Sequence, residues 1–171
     1  MREILELLER DASLSHDTVA TMLGVPVDEV DARIAEWEAS GVVRRHKAVV
    51  DWARYEDGAQ GVPGAGRSGA HVTAFIDVAV APARGVGFDD VAARISRFEE
   101  VRDCFLVSGG HDLRCTVVAA DIRAVSDFVS HKLSTIDRVR STATFFVLTA
   151  YKRDGDTFAE PEQDHRLPVT P

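Results

Sequence analysis

The stretch Val107-Ser108-Gly109-Gly110-His111-Asp112-Leu113 constrains this chain more than any other. It joins two apolar runs, Cys104 to Val107 and Leu113 to Val118. Paired glycines between such runs predict an antiparallel hairpin, because glycine reaches the φ > 0 conformations that a tight turn requires. A two-residue turn at Gly109-Gly110 would also set Cys104 opposite Cys115. Bare backbone at the glycines can approach a ligand closely, with Asp112 beside it as a fixed acceptor.

The surrounding elements decide what sheet the hairpin joins. Val72, Ala74, Ile76, Val78 and Val80 alternate with Thr73, Phe75, Asp77 and Ala79, a strand that Pro82 stops. Phe88, Val91, Ala92, Ile95 and Phe98 form a helical stripe. The hairpin spans about Val101 to Ala120, and Asp121 is a natural cap for a helix lined by Ile122, Val125, Phe128, Val129 and Leu133. Ser141 to Tyr151 reads as a last strand. The order β-α-β-β-α-β predicts a ferredoxin-like antiparallel sheet with both helices on one face. The strands carry apolar residues on both faces, so the uncovered face predicts burial against a second copy in a homodimer.

The first third follows a different period. Ile4, Leu7 and Leu8 mark one helix, and Val19, Met22 and Leu23 a second that Gly24 ends. Pro26 opens a third, with Val27, Val30, Ile34 and Trp37 on one face up to Ser40-Gly41. Three helices with a glycine turn between the last two predict a helix-turn-helix layout. The run Val42 to Val50, with Arg44, Arg45, His46 and Lys47 at its centre, reads as a following strand or wing. From Asp57 to Ala70 the composition turns to glycine and small residues, a flexible linker. The fold class is therefore α+β: a helix-turn-helix over 1–51, a linker over 52–70, a βαββαβ domain over 71–153 and an acidic irregular tail over 154–171.

Charge and composition limit the functions on offer. The chain of 171 residues carries a net charge of −8, and residues 1–51 hold 6 basic against 11 acidic side chains. A nucleic-acid binder usually presents a basic face, so the acidic first third weighs against strong DNA contact. No apolar run approaches the ~18–20 residues that span a bilayer, and the N-terminus lacks a signal peptide's apolar core. A cytoplasmic protein with reduced thiols at Cys104 and Cys115 is expected. No phosphate-binding glycine loop, nucleophile grouping or metal-ligand spacing stands out. No enzyme activity, cofactor or metal is expected.

Taken together, these elements resemble the Lrp/AsnC (feast/famine) transcription regulators over nearly the whole chain. The most specific pieces are Arg84-Gly85-Val86-Gly87-Phe88-Asp89, then Val107 to Leu113, then Ser141-Thr142-Ala143-Thr144. Leu23-Gly24-Val25, Val30-Asp31-Ala32-Arg33-Ile34, Gly41-Val42-Val43 and Ala48-Val49-Val50-Asp51 match the family's N-terminal pattern. The resemblance implies operator DNA as a partner, and a dimer that assembles further toward an octamer. It also implies a small effector, an amino acid, bound near the hairpin between protomers.

Carried onto this chain, the effector positions are Ser108, Gly109, Gly110, His111, Asp112 and Leu113, with Thr142 and Thr144 on the last strand. Glycine N–H groups suit a carboxylate and Asp112 an ammonium. Asp112→Ala is expected to abolish ligand stabilisation while leaving the unliganded fold intact. DNA contact would rest on Arg33, Arg44, Arg45 and Lys47. Two departures stand out: Pro26 replaces the family's usual hydroxyl residue, and Asp28, Glu29, Asp31, Glu36 and Glu38 surround Arg33. A second reading is therefore a small-molecule-binding oligomerisation module whose helix-turn-helix is vestigial.

Overall fold

The computed structural model describes residues 1–52, 54–55, 71–81 and 87–158. The expected linker glycines, Arg84-Gly85-Val86 and most of the tail lie outside them. The chain divides into two compact units, Met1–Val50 and Asp51–Pro171.

The first unit is three helices: α1 (Arg2–Arg10), α2 (His16–Leu23) and α3 (Val27–Ser40). Ser15 caps α2 by accepting from the Thr18 N–H, and Gly24 ends it at φ 66°, a left-handed residue between the two helices. Gly41 closes α3 the same way at φ 75°. Ile4, Leu8, Val19, Ala20, Val30 and Ile34 form one buried core, against which Leu7, Leu14, Leu23, Val25, Val27 and Trp37 pack. The predicted apolar stripes thus meet one another except at Met22, which the structure leaves exposed.

The expected wing over Val42–Val50 is not a strand: the segment is irregular. The Val43 N–H donates to the Trp37 carbonyl at 3.1 Å and folds the chain back onto the end of α3. A strand needs a partner for its backbone groups, and the described remainder of this unit is helices and turns. The segment expected to begin the linker also holds structure. Asp51 accepts from the Arg54 N–H, and the Tyr55 N–H reaches the Asp51 carbonyl, making one helical turn.

The second unit contains β1 (Val72–Val80), α4 (Phe88–Ile95), β2 (Val101–Leu106), β3 (Leu113–Ala119), α5 (Ile122–His131), a 3-10 turn at Leu133–Thr135 and β4 (Val139–Phe146). The antiparallel sheet has the order β2-β3-β1-β4, the ferredoxin-like arrangement. Residues opposite one another in an antiparallel pair share a face. Ala74, Ile76 and Val78 of β1 therefore lie level with Val117, Cys115 and Leu113 of β3, and share with Val80 and Ala119 a face buried beneath Val91, Ile95, Val125, Phe128 and Leu133. Asp121 caps α5 by accepting from the Ala124 N–H at 2.7 Å.

Among the described residues of this unit nothing covers the opposite face. Phe75 is 42% exposed, Phe145 opposite it 52%, and Phe105 on the edge strand 56%. Three large aromatics at this exposure, on one face of one sheet, exceed the scattered apolar residues an ordinary surface carries.

Two boundaries differ from the sequence reading. Strand β4 starts at Val139 and ends at Phe146. Beyond it Lys152–Arg153 (β5) and Asp156–Thr157 (β6) pair across Asp154-Gly155, whose φ values are 48° and 94°. Left-handed geometry at both central residues of a two-residue loop is the I′ hairpin turn that Asp-Gly favours. The start of the expected irregular tail is thus a small hairpin.

Candidate functional site

The loop Ser108–Asp112 hangs between β2 and β3 and is anchored at one end by three bonds. The Val107 N–H donates to the Asp112 carbonyl at 2.9 Å, and the Asp112 N–H donates to the Val78 carbonyl at 3.1 Å. Asp112 Oδ2 in turn accepts from the Val80 N–H at 2.8 Å. One residue thus stitches the hairpin end to the C-terminal end of β1.

Four residues, Ser108 to His111, lie inside the closing bond, so this is not a two-residue turn. Gly109 has φ 159°, at the margin of the extended region, and Gly110 is not in the left-handed region. The strand register is nevertheless the expected one, with Cys104 opposite Cys115, because lengthening the loop by one residue on each side preserves it. A Cβ built on either glycine would meet nothing within 4 Å. Neither glycine is needed to relieve crowding inside the chain. Ser108, Gly109 and Gly110 are exposed, with their backbone uncovered.

Behind the loop lies a charged cluster that the sequence reading missed. Asp77, on the open face of β1, is only 6% exposed. Arg114 of β3 grips it through two bonds, Nε to Oδ1 at 2.6 Å and Nη2 to Oδ2 at 2.8 Å. His111 Nδ1 stands 3.8 Å from Asp77 Oδ2. The Arg114 hydrogen bonds hold the Asp77 carboxyl below the usual aspartate range, against the opposing effect of burial, with smaller help from the Arg114 and His111 charges. Asp77 raises the already high Arg114 value in return. The signal was present in the sequence: one acidic and one basic residue interrupt two apolar strands that the topology pairs, at the register Asp77 to Arg114.

A carboxylate with a lowered folded value stabilises the fold above the unfolded value, near 3.9. That contribution disappears as pH falls through the lower folded value. Asp77→Asn should therefore flatten the acid side of the curve. Urea midpoints between pH 5 and pH 2.5 should fall less steeply for the variant than for the native chain, and equal slopes would contradict the pairing.

The predicted effector residues do not all converge. Ser108, Gly109, Gly110, His111 and Asp112 share the loop. Leu113 is 0% exposed and packs in the core, so its side chain cannot reach a ligand without unpacking the sheet. Thr142 pairs with Val78 and Thr144 with Ile76, which puts both on the helix-side face of β4, half-buried. Strand β1 stands between them and β3, two strand spacings or about 10 Å. Within one chain the threonines are apart from the loop.

Asp112 needs a second correction. Because its carboxylate already holds the Val80 N–H, Asp112→Ala should not leave the unliganded fold untouched. Loss of a part-buried bond of this kind costs about 1 kcal/mol, to be read as a lower denaturation midpoint without ligand.

In the first unit, Arg33 Nη1 lies 2.9 Å from Glu36 Oε2, and His16 of α2 holds Asp31 of α3 through Nδ1. Arg44, Arg45 and Lys47 are exposed on the irregular segment after α3, with Arg44 lying against Gly41. His46 contacts Glu38 at 3.2 Å. Among the described residues there is no grouping of three or more His, Cys, Asp or Glu that could hold a metal ion. No helix of the described residues is long and apolar enough to cross a membrane.

Comparison with known proteins agrees with this architecture. The Lrp/AsnC ligand binding domain matches residues 73–157, a span that includes the β5–β6 hairpin. The HTH-type transcriptional regulator YugG of Bacillus subtilis is 44% identical over 169 residues, 99% of this chain and 95% of that protein. Two solved structures share the fold. One is a feast or famine regulatory protein of Mycobacterium tuberculosis complexed with L-methionine (TM-score 0.66, 23% identity, 92% of this chain and 96% of that one). The other is a Neisseria meningitidis transcriptional regulator in complex with L-Met (TM-score 0.64, 24% identity, 92% of each chain). The chain belongs to the Lrp/AsnC family of HTH-type transcriptional regulators.

Proposed function

We propose that this protein is a cytoplasmic, DNA-binding transcription regulator whose response is set by an amino acid held at the Ser108–Asp112 loop. The observation that carries the reading is the loop itself: firmly anchored through Asp112, yet bare and open at Gly109 and Gly110. Exposed glycine backbone beside a carboxylate offers donors and an acceptor to one small zwitterion. The L-methionine complexes of two proteins of the same fold support this class of ligand.

On this reading a single chain leaves the loop bare, with Thr142 and Thr144 across β1 on the helix side of β4. A second copy, packed on the face that carries Phe75, Phe105 and Phe145, covers the exposed aromatics and adds its own sheet face beside the loop, while Thr142 and Thr144, on the helix side of β4, stay off that interface. The homodimer is the unit of this reading, and further assembly toward an octamer extends it.

DNA contact falls to the segment after α3. Arg33 stands on an acidic helix beside Glu36, and the exposed cations Arg44, Arg45 and Lys47 carry most of the phosphate neutralisation. Affinity per protomer is low and depends on several protomers binding together. The same acidic helix favours one alternative, a ligand-binding oligomerisation module whose helices contact protein instead of DNA.

Titration of the chain's own upstream DNA at several salt concentrations separates the two. The regulator reading predicts binding above the non-specific level, and Arg44→Ala with Arg45→Ala should reduce the slope of log affinity against log salt by about 2. Non-specific affinity unchanged by the double variant supports the alternative.

A further inference from the structure

Cys104 and Cys115 face each other across the hairpin, both as free thiols, with their sulfurs 3.6 Å apart. Their place in the ladder suits a bond. The Val107 N–H to Asp112 carbonyl contact marks that pair as hydrogen-bonded. Alternation then makes Phe105 and Arg114 hydrogen-bonded and Cys104 and Cys115 a non-hydrogen-bonded pair, whose Cα atoms lie about 4.5 Å apart. That separation falls inside the ~4.4–6.8 Å range of disulfides.

The two sulfurs are not equivalent. Cys104 sits on edge strand β2 and is half-buried, whereas Cys115 is buried on β3. The Cys115 S–H donates to the Cys104 sulfur and, with Ser96, brings the Cys104 thiol down to about 7 against the opposing effect of burial. The same contact and burial push Cys115 up, so it keeps its proton. The half-buried Cys104 is thus the nucleophile near neutral pH, with a resolving thiol already in contact.

We propose that Cys104 and Cys115 form a dithiol site that a hydroperoxide closes to an intrachain disulfide. The Cys104 thiolate attacks one peroxide oxygen. An S–O bond forms, the O–O bond breaks, and the departing alkoxide, or hydroxide from hydrogen peroxide, takes up a proton to leave as an alcohol or as water. The Cys115 sulfur then attacks Cys104 Sγ: the S–S bond forms, the S–O bond breaks, and the departing hydroxide takes the Cys115 proton to leave as water. Two thiols lose two electrons in total, and the peroxide gains them. The bond clamps β2 to β3 three residues from either end of the Val107–Asp112 closure. The site stands whether or not the loop binds an amino acid.

The test treats the reduced full-length chain with hydrogen peroxide in modest excess, followed by alkylation and intact mass measurement. Both alkylatable thiols should disappear together, the single-chain mass should fall by two hydrogens, and dithiothreitol should restore it. Cys115→Ser should stop at a sulfenic acid captured by a dimedone trap. The proposal is overturned if both thiols stay alkylatable, if Cys104 gains two oxygens without the two-hydrogen loss, or if the disulfide joins two chains.

Discussion

Leu113→Ala should destabilise the sheet unit by about 3 kcal/mol, within the 2–5 kcal/mol range for emptying a fully buried leucine site. Leu113 is the first residue of β3, opposite Val78 on one side and Leu106 on the other, and its side chain is wholly enclosed. Truncation leaves a cavity beneath the end of the sheet where the loop is anchored. Chemical denaturation followed by far-UV circular dichroism reads the loss. Its size separates two roles for a residue that the sequence reading placed among ligand contacts. A leucine lining an effector site would lose ligand affinity with little change in stability. The packed leucine seen here should do the reverse, leaving the relative ranking of amino-acid ligands unchanged.

The second large effect concerns the open sheet face. Phe75→Asp combined with Phe145→Asp should weaken self-association at least ~100-fold, because in the proposed homodimer each change is repeated on both sides of a two-fold interface. Phe75 of β1 and Phe145 of the edge strand β4 are register partners on that face, with Asp77 two residues along β1. New carboxylates there would have to be buried unpaired beside an existing one. Sedimentation velocity should show the double variant as a monomer at concentrations where the native chain is not. The fold of the single chain should survive, since both positions are solvent-exposed within it and the helix-side core is untouched. A variant that associates as the native chain does would place the interface elsewhere.

How far the sequence reached depended on what kind of signal each element carried. Periodicity was enough for α1 to α3, for β1 and for the sheet order, since apolar stripes of period 3.6 and period 2 have one good packing each. Asp121 and Gly24 marked helix ends through chemistry that local sequence fixes. The Val42–Val50 strand failed for a non-local reason: its residues suit an extended segment, but the described part of its unit offers no strand to pair with. The glycine hairpin was right in register and wrong in length, because loops that differ by one residue on each side give the same pairing. The two-residue Asp-Gly signal lay instead at Asp154-Gly155, overlooked inside a stretch read as acidic tail.

The candidate site was legible only in part. Loop residues cluster by chain continuity, so Ser108 to Asp112 could be named together. Which face Thr142 and Thr144 occupy depended on the register of β4 against β1, and a shift by one residue would reverse it. Asp77 and Arg114 were visible as charges within apolar runs, but each gains meaning only once its partner strand is known. Asp112 was assigned to a ligand before its tie to Val80 could be seen.

The central claim is that the loop closes an amino-acid site only against a second copy of the chain. Thermal unfolding with each of the twenty L-amino acids, run on the native chain and on the Phe75→Asp, Phe145→Asp variant, tests it most directly. Ligand bound to the native state raises the midpoint as RT ln(1 + [L]/Kd). The account predicts that at least one amino acid raises the midpoint of the native chain and that none moves the monomeric variant. An equal rise in the variant, or no rise in the native chain with any of the twenty, would contradict it.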